Sequence, residues 1–367
     1  MPKVIEVERE WSTDQLAAID EIVRWRDEDR NQFLTFGGFA GTGKTTIVAE
    51  LATLWKDSAV CALCGKAASV LRSKGIKRAS TIHSLVYEPD VDEDGNLIGF
   101  TRKQDLDCDS IIVDEASMVN EQLHNYLLSF GLPVLYVGDH GQLEPIQVGS
   151  REPFNLMHDP EVRLEVIHRQ AAGNSIIDVS AAFREGRHGD VLALRGSVSH
   201  DGRVRVVPLI EVQDNLSGTV ICGTNRTRHR INSVMRQRLG HGDEVEAGDM
   251  VICLQNNRKL GVFNGQLFTV VAVHQRSSYS TKLTMTDDSG NLLTVRCRTE
   301  QFGRDKMEYQ SGETLLLDYG YCLTAHKAQG SEFDDVTVID EVMGSWDACR
   351  WRYTSATRAK ERLVYCI

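Results

Sequence analysis

No apolar run in this 367-residue chain reaches the roughly 20 residues needed to cross a bilayer as a helix. The opening decapeptide, MPKVIEVERE, has no apolar stretch like that of a secretory leader. These two absences set the expectation of a cytoplasmic protein with no membrane partner. Paired metal-ligating cysteines are also missing. The nine cysteines are scattered, mostly inside strand-like runs such as VICG and VICL. Cys61 and Cys64 form a lone C-x-x-C with no second ligand pair nearby, so reduced thiols near a strand end are expected rather than zinc or redox chemistry. An excess of basic residues is absent as well, the formal net charge being −11. That argues mildly against a nucleic-acid binder, but phosphate contact needs only a local basic channel. Lys and Arg do gather locally, in RTRHR (Arg226 to Arg230) and at Arg350, Arg352, Arg358, Lys360 and Arg362. There is no short-period repeat and no low-complexity segment, and the length suits two or three domains with real cores.

What the chain does have is GFAGTGKT, Gly38 to Thr45, which fits the phosphate-binding P-loop pattern G-x-x-x-x-G-K-[ST]. FLTF before it reads as a buried strand, and TIVAELATLW after it reads as a helix, the context the motif needs. Gly38, Gly41 and Gly43 let the backbone curl so that N–H groups point inward, toward phosphate at a helix N-terminus. Lys44 is placed to reach the β- and γ-phosphates, and the Thr45 hydroxyl to ligate Mg²⁺. ATP and Mg²⁺ are therefore the expected cofactors, with Gly38, Gly41, Thr42, Gly43, Lys44, Thr45 and Thr46 as the nucleotide cradle.

Around that loop the pattern is α/β. Ser12 to Trp25 reads as a capped amphipathic helix, with Gln15 in its first turn, where an amide can pair with an adenine edge. Buried strands follow at Ala59 to Leu63, at Cys108 to Ser117 and in LPVLYVGDHGQLEPI, two of them ending in acids or Gly-Asp. Strands alternating with helices predict a parallel sheet with ligands at the carboxyl ends of its strands. Asp114-Glu115 closes one such strand in the position of an acid pair that holds Mg²⁺ (Asp114) and polarises the attacking water (Glu115). Gln142, past the neighbouring strand, is suited to sense the γ-phosphate. From Glu88 to Asp107 the chain turns polar, predicting a short hairpin excursion with Asp94-Gly95 near its tip. From Glu246 to Glu313 the period switches to two, predicting a small antiparallel barrel. The expected layout is residues 1–150 as a first domain carrying the 88–107 hairpin. Residues 151–245 and 314–367 form a second, with 246–313 as its inserted barrel.

Eight segments now fall in order: GFAGTGKTT, ALCGKAASVL, STIHSL, IIVDEASM, VGDHGQLEPI, VIHRQ, YCLTAHKAQGSEF and YTSATRAKERL. The series resembles superfamily 1 DNA helicases, in the 5′-to-3′ branch that holds the RecD-like and phage Dda-like enzymes, and it spans Gln15 to Leu363. The resemblance implies two RecA-like domains with ATP between them. It implies that Gln15 reads adenine, that Arg169 and Arg358 clamp the γ-phosphate from the opposing domain, and that Lys66, Thr81, His83, Thr324, His326 and Lys327 line a single-strand track. The activity implied is ATP-driven translocation on single-stranded DNA, 5′ to 3′, with unwinding at single/double-strand junctions. The expected protein is a monomer, with single-strand-binding or replication proteins as candidate partners. The sequence departs from the family where Leu63-Cys64 stands in place of the usual Pro-Thr, and where Glu144 stands at a position often proline. Two other readings remain open: a translocase or protein-displacing remodeller with weak unwinding, and a nucleotide-dependent switch or small-molecule kinase.

Overall fold

The computed structural model describes residues 11–28, 31–91, 97–144, 154–166, 173–257, 259–287, 290–304 and 314–367. Arg169, the expected hairpin tip at Asp94-Gly95 and the boundary at 150 lie outside the described residues.

A first sheet of six strands runs in the order Ser80–Thr81, Ser58–Ala62, Ser110–Asp114, Val134–Gly138, Phe33–Gly38, Val162–Leu164. Every pairing in it is parallel. Its central strands are short apolar runs buried along their whole length, as a sheet covered on both faces requires. The helices Thr13–Glu28, Lys44–Leu54 and Gly65–Ser73 cover one face through Ile22, Ile47, Leu51 and Leu71. The helix Glu121–Leu128 covers the other. Val162–Leu164 pairs with Phe36 to Gly38, so the first sheet continues past the expected boundary at 150.

A second parallel sheet of five strands has the order Cys322–Thr324, Thr219–Cys222, Phe333–Ile339, Ala359–Cys366, Val204–Val207. The helices Ser175–Arg184 and Ala348–Ala356 pack on it through Ile176, Phe183 and Trp351. Between its strands lies a third sheet, ordered Thr314–Leu315, Leu292–Arg298, Ser280–Thr286, Leu267–Arg276, Met250–Cys253, Leu317–Tyr319. It is antiparallel except where Thr314–Leu315 joins. Alternate residues, among them Leu283, Met285 and Val295, face a separate core. This insert differs from expectation in two ways. Its edge strands come from residues 314–319, past 313, and its pairings form an open order, not a closed ring, among the described residues. A two-stranded antiparallel ribbon, Tyr87–Val91 with Leu97–Arg102, forms a sheet of its own whose base packs on Tyr126 of the first unit.

Asp249 roots the insert: its carboxylate takes a two-point contact from Arg236 (2.9 and 3.1 Å), and it accepts from Tyr321 Oη and His241 Nδ1 at 2.9 Å each. Arg236 lies on the helix Asn225–Arg238 of the second unit. The insert also reaches the first unit. A Cβ on Gly65 would stand 2.0 Å from Phe263 Cβ, so only glycine fits there, and the Arg72 guanidinium lies 4.8 Å from the centroid of the same phenyl ring.

Candidate functional site

The strand Phe33–Gly38 delivers the P-loop, and Gly43 caps the helix Lys44–Leu54. Gly41 and Gly43 have φ of 82° and 92°, the left-handed region where a Cβ is disfavoured. A Cβ on Gly38 would lie 2.6 Å from Thr42 Oγ1, so glycine keeps the cradle open. Lys44 Nζ stays within the loop, donating to the carbonyls of Gly38 (2.7 Å) and Phe39 (3.0 Å). Thr45 and Thr46 occupy the first helical turn, half-buried. Gln15 is buried, with its Nε2 on Thr42 O at 3.2 Å and its Oε1 accepting from Ser12 N–H. The amide thus touches the P-loop backbone directly, beside the cradle.

Asp114 ends the strand Ser110–Asp114, and its Oδ1 accepts the Glu115 N–H at 3.0 Å. Glu115 has φ 55°, the one positive φ outside glycine among the described residues. Holding a glutamate there costs on the order of 1 kcal/mol, a strain that collects at functional sites. Burial lifts the Glu115 carboxyl to about 7, the neighbouring Asp114 charge adds to the lift, and Arg358 and Lys44 pull it back. Burial likewise raises Asp114 above the usual carboxylate range, against the pull of the Glu115 N–H and Lys44.

The second unit closes over this site. Arg358, buried, donates to the carbonyls of Thr354 and Ser331 and lies near enough to act electrostatically on Glu115. The segment after strand Val134–Gly138 is gripped by the helix Ala348–Ala356. Arg350 donates to the carbonyls of His140 and Gln142, and Thr354 Oγ1 accepts from Leu143 N–H. Gln142 is buried; its Nε2 makes a long 3.4 Å contact with Asp139, and its Oε1 has no partner among the described residues. The tyrosine hydroxyl of Tyr353 stands between the units, accepting from Ala40 N–H at 2.9 Å and donating to Asp139 Oδ2 at 2.6 Å. Burial beside Asp139 pushes that hydroxyl well above its usual range, so it stays a neutral donor. Arg184 stacks 3.6 Å from the ring centroid of Phe39, a residue inside the P-loop.

The residues assigned to a strand track fall into two matching turns. Thr81 ends the edge strand of the first sheet and caps the helix Ile82–Val86; Thr324 ends the edge strand of the second and caps Ala325–Ala328. Each threonine accepts a backbone N–H from its own helix, and each is followed by a histidine two residues on, His83 and His326. Burial lowers both imidazoles, favouring their neutral forms. His83 stacks on Tyr87 at the base of the ribbon, with ring centroids 6.1 Å apart. His326 and Lys327 line a cleft of about 680 Å³ with Thr324, Asn225, Trp346 and Arg350. Lys66 behaves differently, its ammonium lying 4.6 Å from the centroid of Phe333 across the unit boundary. There Gly330 also meets Cys64, whose Sγ accepts from Ala67 N–H. Cys61 and Cys64 are both free thiols.

Sequence reading missed Tyr353, Asp139 and Trp346. The first stands inside a quoted motif, YTSATRA, but nothing local marks its hydroxyl as reaching the P-loop. Asp139 was visible only as a strand-end acid, and Trp346 sits in an irregular loop without a pattern of its own.

The AAA-domain family model matches residues 10–208, and the model for the UvrD-like helicase C-terminal domain matches residues 319–366. The ATP-dependent RecD2 DNA helicase of Deinococcus radiodurans is 29% identical over 96% of this chain and 48% of its own length. The RecBCD enzyme subunit RecD of Mycobacterium tuberculosis is 25% identical, over 89% of this chain and 65% of its own. The chain thus spans 48% to 65% of the length of these two relatives. Two solved structures share the fold. Bacteroides Pif1 bound to single-stranded DNA has a TM-score of 0.64 at 17% identity, covering 98% of this chain and 93% of that one. Candida albicans Pif1 has a TM-score of 0.61 at 18% identity, covering 98% and 94%. With its P-loop, two RecA-like sheets and ordered motifs, the chain belongs to the AAA-domain family and is similar to the RecD-like helicases of superfamily 1.

Proposed function

We propose that this chain is an ATP-driven motor that moves 5′ to 3′ on single-stranded DNA and separates strands at duplex junctions. The observation that carries the proposal is the convergence of two units on one nucleotide site: Lys44 and Glu115 from the first sheet's loops, Arg358 from the second's. An arginine supplied by a second unit makes hydrolysis depend on the approach of that unit, which is the coupling a motor needs. The donor set fits Mg²⁺-nucleotide, with a hydroxyl at Thr45, a carboxylate at Asp114 and the amide oxygen of Gln142, which has no partner among the described residues. Bound Mg²⁺ would neutralise phosphate charge. Lys44 orients the phosphates, Glu115 takes the proton of the attacking water, Gln142 holds that water or senses the γ-phosphate, and Arg358 with Arg169 stabilises charge on the transferred group. Gln15, whose amide lies on Thr42 O beside the P-loop, would read the adenine edge.

The paired Thr-x-His turns, one per sheet, support a strand that crosses both units. His83, His326 and Lys327 meet it there, and the capped helix starts offer backbone N–H groups to phosphate. Opening and closing of the cleft then changes the distance between the turns, which is a step. ATP turnover measured with and without single-stranded DNA, and strand release from a 5′-tailed duplex, test the reading. Turnover that ignores DNA returns the chain to the switch or kinase class. The short ribbon Tyr87–Val91/Leu97–Arg102 favours a second reading, a translocase or protein remodeller with weak unwinding, which robust DNA-stimulated turnover without strand release would select.

A further inference from the structure

Three side chains of one helix, Arg350, Tyr353 and Thr354, hold the segment Asp139 to Leu143, but only Tyr353 also touches the P-loop. We propose that Tyr353 is a positioning residue whose hydroxyl ties the P-loop's Ala40 N–H to the Asp139–Gln142 turn, so that P-loop occupancy sets the Gln142 amide; this rests on the nucleotide-driven reading above.

The connections form a short relay. A phenolic oxygen has one proton to give and two lone pairs to accept with. Tyr353 gives its proton to Asp139 Oδ2 (2.6 Å) and accepts the Ala40 N–H (2.9 Å). Asp139 is spent on both sides of the turn: its Oδ1 accepts Gly141 N–H at 2.9 Å, while Oδ2 also faces Gln142 Nε2 at 3.4 Å. The turn fits closely against the ring, since a Cβ on Gly141 would stand 2.9 Å from Tyr353 Cε1. Tyr353 and Asp139 are each 1% exposed, so water cannot substitute for a lost partner without rearrangement. Ala40 N–H is one of the loop's backbone donors, the class of group a P-loop turns to phosphate. A phosphate oxygen at that donor takes the bond the phenol now holds. Tyr353 then keeps Asp139 alone, and the turn carrying Gln142 is free to shift with the second unit's helix.

Tyr353→Phe removes the hydroxyl and keeps the ring. The expected result is a fall in kcat of about tenfold, the size of one buried hydrogen bond, with the ATP KM changed less than about threefold. Combined with Gln142→Ala, it should add no further loss, because both changes break one relay. Asp139→Asn is the second probe. It keeps the shape and the phenol and should show the same non-additivity with Gln142→Ala, while melting temperatures report folding. Unchanged kcat in Tyr353→Phe, or losses that multiply with Gln142→Ala, would overturn the assignment. The cycle is read on turnover both with and without single-stranded DNA. A wild-type protein that DNA does not stimulate defeats the motor reading, while the basal-rate cycle still decides Tyr353.

Discussion

Glu115 combines a left-handed backbone, a half-buried side chain whose carboxyl is lifted to about 7 and a charged neighbour in Asp114. Stability alone would choose another residue there, since each feature costs free energy. Glu115→Gln keeps the size and removes the basicity. ATP affinity should stay within about twofold while phosphate release falls by at least about 100-fold, the usual scale of a lost general base. Parallel loss of binding, followed by a fluorescent nucleotide, would make the acid pair structural. At this scale the sequence was legible where function is contiguous: the P-loop glycines, Lys44 and Asp114-Glu115 each announce themselves within a few positions. It was illegible where function is a contact. Tyr353 meets Ala40 and Asp139 from 313 and 214 positions away. Lys66, a cation at the start of a helix, reads as a phosphate ligand, and nothing local records that its ammonium also lies over the Phe333 ring.

The elements were most readable where one environment surrounds a whole segment, as for the fully buried strands Ser110–Asp114 and Val134–Gly138. TLLLDYGYCLT was harder. It reads as one apolar run of the α/β pattern, yet Thr314–Leu315 and Leu317–Tyr319 join the insert and Cys322–Thr324 joins the second parallel sheet. The crossing is at Gly320, where a Cβ would stand 3.1 Å from the backbone of Val251. No local periodicity records a change of sheet. Asp249 predicts how the insert is held. Burial alone would raise its carboxyl, but hydrogen bonds from Arg236, Glu246 N–H and His241 outweigh that and hold it below its usual value. Its stabilisation is therefore full above the unfolded value of 3.8 and is lost as pH falls through the lower folded value. Asp249→Asn should lower stability by about 3 kcal/mol near neutral pH, and denaturant titrations from neutral to strongly acid pH should show a shallower acid slope than wild type. A variant as stable as the parent would mean the Arg236 contact is dispensable. The ribbon makes a separate prediction. Replacing residues 88–101 by a short Gly-Ser turn, which keeps Tyr87 beside His83, should cut strand release several-fold more than DNA-stimulated turnover, because the ribbon is a separate sheet from the two that carry the Thr-x-His turns. Equal loss in paired unwinding and ATPase assays would place it in the track or the fold instead.

For the whole molecule, a net charge of −11 and a strand of phosphates look ill-matched. Binding depends on where cations lie, and each phosphate neutralised releases condensed counterion whatever the protein's total charge. Affinity for single-stranded DNA should therefore fall steeply with salt, with a log–log slope of magnitude roughly 2 to 5 for a track of several contacts at about 0.7 each. Equilibrium titrations across salt concentrations measure it. A flat line, or strong preference among strand sequences, would rule out a track built on phosphate.

Phe263 seated on Gly65 makes one helix start a junction of three bodies. Gly65 lies against Phe263 of the insert, while its neighbours Cys64 and Lys66 lie against Gly330 and Phe333 of the second unit. A shift of either partner is therefore felt at the same turn of the helix Gly65–Ser73. Phe263→Ala, which touches neither the nucleotide site nor the Thr-x-His turns, should loosen that turn and speed amide hydrogen exchange across Gly65–Ser73. Unchanged exchange there would mean that the aromatic contact carries none of the junction's rigidity.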